Sequence, residues 1–404
     1  MDEKKPSLIK DFLSEPEGFS LVFGGFLFHL LQRAHLAGNT GRSLCIRILV
    51  ITLLAWLPLL VLSLISGQVF RDSVQLSFLV DIETHVRFLL ALPLLVVAES
   101  VVHQRIRPLI SLFLERDLIP ESAKGQFSAA IESAIRLRNS TSIELILISA
   151  VYLFGILFLW RTQIALDVSS WYSVEINGRS KLSPAGWWLA FISLPLFQFL
   201  LLRWYFRLFI WSRFLWQVSK ISLNLIPTSP DRACGLGFLA KVSYVFSPLV
   251  FAQGVLLAGV LGERIFFTGV SLTSFEIEII GMVTLVLLSI LGPLLVFTPQ
   301  IMAAKLNGLD EYGTLSQKYV RAFDFKWLRR RETTDEPFIG SADIQSLADL
   351  SNSFEIIKST RAFPFDIKNV IQLIIITVLP IAPLLLTMFS LEDLLLTIFK
   401  ILFR

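Results

Sequence analysis

Cysteine and histidine are scarce in this 404-residue chain: there are two cysteines, Cys45 and Cys234, and four histidines, His29, His35, His85 and His103. Two thiols cannot build a disulfide framework or a thiolate cluster, and the imidazoles show no HExxH-type spacing, so no metal is expected. The chain also lacks a GxSxG elbow, a Walker A loop and any nucleophile and base close in sequence, which argues against an enzyme and against a bound cofactor. Charge is sparse as well, at 17% of residues with a net +4. That small excess is explained by its distribution along the chain, as follows, and not by affinity for nucleic acid.

What is present in quantity is apolar surface. Apolar residues make up 54% of the chain, phenylalanine alone supplies 34 residues, and the mean hydropathy is +0.69. Seven long apolar runs stand out, near Ile46–Ser66, Val86–Val102, Ile143–Trp160, Gly186–Phe206, Tyr244–Gly262, Ile277–Ala303 and Val370–Phe389. Each can cross a hydrocarbon core of about 30 Å as a helix rising about 1.5 Å per residue, and none alternates like a strand. The expected fold is therefore all-α, a polytopic membrane bundle of seven helices. Placing the N-terminus in the cytosol puts 28 of the 36 Lys and Arg residues inside and 8 outside. The positive-inside rule then gives N-in and C-out.

These spans divide the chain into a cytosolic N-terminal segment (1–45), a six-span bundle (46–304) with a cytosolic helical loop at 103–142, a cytosolic helical segment (305–369), and a seventh span with an outer interfacial helix (370–404). The apolar stretch Phe19–Leu31 is short for a span and follows an acid-rich segment, so it reads as a helix lying in the inner interface. At the other terminus, Ser390 and Asp393 have capping-box spacing before about 14 residues, too few to span. In the 103–142 loop, Glu121–Arg138 carries Phe127, Ala130, Ile131, Ala134 and Ile135 on one helical face. Outside, Trp171–Ile176 followed by Asn177-Gly178 reads as a hairpin turn, with Trp160, Trp187 and Trp188 as interfacial anchors.

Several features bear on function. Proline occurs in every span but the third, at Pro58, Pro93, Pro195, Pro248, Pro293, Pro299, Pro380 and Pro383. Such residues bend membrane helices or break them around a cavity, and the spacing alone leaves both open. Gly254, Ala258 and Gly262 form a small-residue stripe on the fifth span that admits a close helix contact. Candidate conduit-lining polar residues are Gln198, Gln253, Thr298, Gln300 and Glu99. Ionisable groups at the midplane are not evident, which weakens a pump or proton antiporter. The cytosolic loop Thr228–Gly237 offers Asp231, Arg232, Gly235 and Gly237 as a candidate gate or lipid contact, against ordinary capping and packing. Lys326, Arg329, Arg330 and Arg331, beside Trp327, are candidate anionic-lipid contacts or routine inner-face anchors. Beyond them, Ile344, Leu347, Ala348, Phe354 and Ile357 follow at helical spacing after Ser341.

The stretch around Asp231-Arg232-Ala233-Cys234-Gly235, together with Gly340–Leu350 and Ser353-Phe354, resembles an uncharacterised family of bacterial multi-spanning inner-membrane proteins. The resemblance covers roughly the second half of the chain. It implies a bacterial inner-membrane location and brings no ligand or catalytic residue. The expected function is a channel or passive transporter for a small solute or ion, working as a homo-oligomer in the lipid bilayer without nucleic acid. The alternative is a membrane-embedded scaffold or sensor that binds a cytosolic partner or anionic lipid.

Overall fold

The computed structural model describes residues 20–22, 24, 41–70, 76–162, 170–176, 179–329 and 342–388. Most of the Phe19–Leu31 segment, the turn at Asn177-Gly178, Arg330, Arg331, Ser341 and the helix expected after Ser390 lie outside these residues. Helix α1 covers Gly41–Ile65, α2 Ile82–Glu115, α3 Lys124–Arg138 and α4 Thr141–Thr162. Strands β1 (Ser173–Ile176) and β2 (Arg179–Leu182) pair antiparallel, with Ser173 opposite Leu182 and Ile176 opposite Arg179. Then follow α5 (Pro184–Val218), α6 (Ser247–Thr268), α7 (Leu272–Ile290), α8 (Thr298–Asp324), α9 (Ala342–Lys358) and α10 (Ile367–Thr387).

Among the described residues six helices, α1, α2, α5, α6, α7 and α10, are long and apolar enough to cross a membrane. This is one fewer than the seven apolar runs. The difference lies at α4, whose described apolar stretch is only Thr141–Leu153. The outward faces carry large bare side chains, including Leu49, Leu53, Leu57, Leu64, Ile277, Ile280 and Leu288. In water such faces would have to be covered, whereas lipid solvates them. The hairpin marks one end of the bundle. The other end carries the Asp231 loop, α3 and the α8–α9 pair.

The prolines interrupt the backbone hydrogen-bond ladders of their helices, and neighbours take up the carbonyls they free. Pro58 has no amide to give the carbonyl of Leu54, four residues earlier. That carbonyl instead accepts from Trp188 Nε1 at 3.3 Å, and the Ser193 hydroxyl donates to the next carbonyl, that of Ala55, at 2.6 Å. Pro195 likewise leaves the carbonyl of Phe191, which accepts from the Tyr152 hydroxyl at 3.2 Å. Just before Pro93 and Pro195 the backbone widens into π-helical turns at Val86–Ala91 and Leu189–Ser193. Where prolines come in pairs the helix tightens instead. Gly292–Phe297 and Leu379–Thr387 are 3₁₀ segments, the first joining α7 to α8 and so dividing the overlong sixth run.

The small-residue stripe is a close helix–helix seam. A Cβ on Gly254 would lie 2.2 Å from the carbonyl oxygen of Thr377 on α10, and one on Gly262 would lie 3.3 Å from Leu384. Ala258 packs with Leu261, Ile265 and Ile381 between them. The stripe therefore joins α6 to α10, and only a residue without a side chain fits at Gly254.

Candidate functional site within the bundle

A cluster of buried charge sits about 26 Å along α2 from its start, by helix rise. Glu99 is held by three guanidiniums from two other helices: Arg207 Nη2 of α5 at 2.8 Å, Arg203 Nη1 of α5 at 3.5 Å and Arg47 Nη1 of α1 at 3.7 Å. Arg203 also reaches Glu144 of α4, Nε to Oε1 at 3.6 Å. All five side chains are under a tenth exposed. Arg203 and Arg207 are one turn apart and so project from the same face of α5 toward Glu99.

Among the described residues three guanidiniums meet two carboxylates, and backbone dipoles offset part of that excess. Arg203 Nη2 donates to the carbonyl of Gly24 at 2.9 Å, Arg207 Nη2 to that of Val22 at 3.2 Å, and Arg138 Nη1, from α3, to that of Ser20. Gly24 has φ +147°, and a Cβ there would fall 2.3 Å from Asn139 Oδ1 and 2.6 Å from Arg138 Nε. Ser20, Val22 and Gly24 thus lie against the arginines, with no room for a side chain at residue 24. Arg47 Nε and Arg207 Nη1 remain without a hydrogen-bond partner among the described residues. Trp204 completes the wall, with the Arg207 guanidinium 4.7 Å from its ring centroid and its Nε1 donating to the carbonyl of Leu95.

Glu99 was expected as an isolated polar side chain, and the structure adds three arginines and a second glutamate around it. Arg47, Arg203 and Arg207 fall at run boundaries, where a positive-inside count absorbs them. The signal in the sequence was the length of the fourth run: apolar residues continue past Arg203 and Arg207 to Val218, and the helix with them. Arginines inside an unbroken helix face a neighbour, not water.

The polar residues expected to line a conduit fall in different places. Glu99 is in the cluster. Gln253 lies within hydrogen-bonding reach of the Tyr205 hydroxyl, beside a small void of about 20 Å³ also lined by Ser289. Gln198 lies against Gly155 of α4. Gln300 donates to the carbonyls of Ser219 (2.7 Å) and Ile221 (2.8 Å), tying the end of α5 to the start of α8. Thr298 opens α8, and its hydroxyl has no partner among the described residues. The structure brings none of these to Glu99.

The Asp231 loop is closed upon itself. Asp231 Oδ1 accepts from the amides of Ala233 (2.9 Å) and Gly235 (3.0 Å), and Oδ2 from Gly237 (2.9 Å). Burial would raise this carboxyl, but the three amides and the Ser229 hydroxyl outweigh it and hold it below the usual carboxylate range. Left-handed backbone at Arg232 (φ 53°), Cys234 (φ 54°) and Gly235 (φ 97°) turns the amides inward. Burial and then the Asp231 charge push the Cys234 thiol up to about 11. From outside, Arg361 clasps the loop, its amide donating to the carbonyl of Arg232 and its Nη2 to that of Asp231, each at 2.9 Å. The Arg232 side chain is exposed.

In the distal basic cluster, Lys326 Nζ and Trp327 Nε1 both donate to Asp343 Oδ2, at 2.7 and 3.0 Å, and hold that carboxyl low. Arg329 pairs with Asp324. These contacts pin the end of α8 to the start of α9. Among the described residues no group of three or more His, Cys, Asp or Glu side chains is placed to hold a metal ion.

The geometry defines a multi-pass helical membrane protein with buried charge in its bundle. The chain matches no protein-family model, no curated protein and no solved structure, so the functional reading rests on the side chains themselves.

Proposed function

We propose that this chain is a channel or passive transporter for a small anion, acting as a homo-oligomer in a bacterial inner membrane with its N-terminus in the cytosol. The observation that carries the reading is the buried surplus of guanidinium around Glu99. Ionisable side chains within a membrane bundle are costly and mark substrate or ion pathways. A structural ion pair needs one cation per anion, whereas among the described residues three arginines face two glutamates and recruit backbone carbonyls as further partners. A small anion would meet those same guanidiniums, with charge-assisted hydrogen bonds stronger than the carbonyl contacts it replaces. In the proposed orientation the cluster stands toward the cytosolic side.

The test is anion flux in liposomes holding the reconstituted full chain, driven by chloride, nitrate or phosphate gradients. Arg207→Gln should reduce flux at least tenfold while the protein stays folded. Gly24→Ala, which removes no charge, should change the flux by dislodging the carbonyls of Ser20, Val22 and Gly24. A folded wild type silent toward all three anions would reject the reading.

One observation favours the scaffold instead. The α8–α9 pair leaves Leu315, Val320, Phe325, Leu328 and Ile344 exposed at the end of the bundle away from the hairpin. Substituting Phe325 and Leu328 with serine should abolish any partner recruitment on that reading and leave flux untouched on the first.

A further inference from the structure

At the hairpin end of the bundle, far from the arginine cluster, a second set of ionisable groups meets. Asp81 caps the start of α2, with Oδ1 accepting from the amide of Thr84 at 2.7 Å and Oδ2 from the Thr84 hydroxyl at 2.8 Å. The same Oδ2 accepts from Trp171 Nε1 at 2.9 Å. Glu263 of α6 faces it: Oε2 accepts from the amide of Glu83 at 2.9 Å, and its carboxyl lies within hydrogen-bonding reach of that of Asp81. Both carboxyl groups also feel Arg87, which is paired with Glu83 one turn back on its own helix. The remaining titratable neighbours add no cation. His85 Nδ1 accepts from Trp56 Nε1 at 3.0 Å, so that nitrogen carries no proton. Tyr172, from the hairpin, faces the pair as a phenol. Arg264, next on α6, turns away to Glu278 of α7.

The donors settle which carboxyl is ionised. A carboxylate offers about four acceptor sites and no donor. Amide and indole N–H groups can only donate, so Asp81, already taking both and a hydroxyl, is the anion. Two carboxyl groups in hydrogen-bonding contact cannot both be ionised without strong repulsion, so one proton lies between them. That proton sits on the Glu263 oxygen that does not accept from Glu83, and it is donated to Asp81.

We propose that Glu263 is a proton-binding site, its carboxylic acid donating to the Asp81 carboxylate and so tying α6 to the start of α2. The ligand is the proton itself, exchanged with solvent at the hairpin end. Loss of the proton would set two carboxylates against each other across this seam, with Arg87 already committed to Glu83. The seam is otherwise close packed, since a Cβ on Gly259 would lie 2.9 Å from Val86. Occupancy of the site therefore decides whether α6 and α2 stay docked there.

Infrared spectroscopy of the reconstituted full chain at neutral pH should show the carbonyl band of a protonated carboxylic acid that shifts in D₂O. Glu263→Gln should remove that band and keep thermal stability near wild type, because the amide can donate to Asp81 in place of the acid. Glu263→Ala should be markedly less stable than either. In Trp171→Phe, Asp81 loses one donor and should take the Glu263 proton more strongly, moving the band. A band unchanged in Glu263→Gln would overturn the proposal, and so would a loss of stability in Glu263→Gln as large as in Glu263→Ala, since an ionised Glu263 held by Arg87 would behave in that way. If Glu263→Gln does not fold, an unmoved band in folded Trp171→Phe would overturn it equally.

Discussion

The indole of Trp188 donates to the carbonyl of Leu54, the acceptor that Pro58 leaves without a backbone partner one turn on. A side chain on α5 thereby completes the hydrogen bonding of α1 at the point where Pro58 interrupts it. Trp188→Phe keeps the ring and deletes the donor, so it should lower stability by about 1 kcal/mol. Pro58→Ala in the same background should recover most of that loss, because the restored amide bonds Leu54 within the helix. Thermal unfolding in detergent of the two single variants and the double checks the coupling. Additive losses would show that the bond contributes nothing.

Gly254 and Gly281 form a natural pair for testing close approach. A Cβ at Gly254 meets the Thr377 carbonyl oxygen at 2.2 Å, whereas at Gly281 nothing lies within 4 Å. Gly254→Ala should destabilise by about 1–3 kcal/mol through enforced separation of α6 and α10. Gly281→Ala should be neutral or up to about 1 kcal/mol stabilising, through helix propensity. Equal melting temperatures for the two variants would be incompatible with the α6–α10 seam.

The Asp231 carboxyl is held below its usual range in the fold, so its protonation opposes folding. The stability it supplies is fully present above the ordinary aspartate value of about 3.9 and is lost as pH falls through the lower folded value. Asp231→Asn cannot present both acceptor oxygens to the amides of Ala233, Gly235 and Gly237. It should cost about 1–3 kcal/mol at neutral pH. The gap from wild type should narrow in acid, which a melting series from pH 7 down to pH 3 reads directly.

Orientation is open to surface labelling. Cys234 is fully buried with its thiol pushed up to about 11, so it should stay unmodified on either face. Exposed reporters serve better. A cysteine in place of Lys181 on the hairpin should react with an impermeant reagent in intact cells, and one in place of Glu121 only after lysis, in a Cys45→Ser background. The reverse pattern would invert the proposed topology.

The spans were legible because length and hydropathy act locally: a run such as Ile46–Ser66 must be helical to satisfy its backbone in lipid, whatever its neighbours are. The hairpin strands were legible from the Asn177-Gly178 turn signal for the same reason. Partners in space were not. The proline positions said that carbonyls would be freed, but nothing in the local sequence pairs Trp188 with Leu54 or Tyr152 with Phe191. The arginine cluster was hidden more thoroughly, because Arg47, Arg203 and Arg207 look like inner-face anchors when counted by run. Asp81 and Glu263 were hidden likewise, each standing just outside an apolar run. The Asp231 loop was half legible: its aspartate and glycines announced an anion meeting backbone amides, and the anion is the chain's own carboxylate.

The contact between Gly254 and the Thr377 carbonyl also orders assembly in time. These two residues are about 120 positions apart, so at 5–20 residues per second α10 leaves the ribosome roughly 6–25 s after the groove on α6 has been made. During that interval α6 has already entered the bilayer with its small-residue face uncovered. Whatever occupies that face, lipid chains or a transient neighbour, must be light enough to be displaced when the last described helix arrives. Truncation before Ile367 should therefore leave a bundle with an open groove, not merely a shorter one.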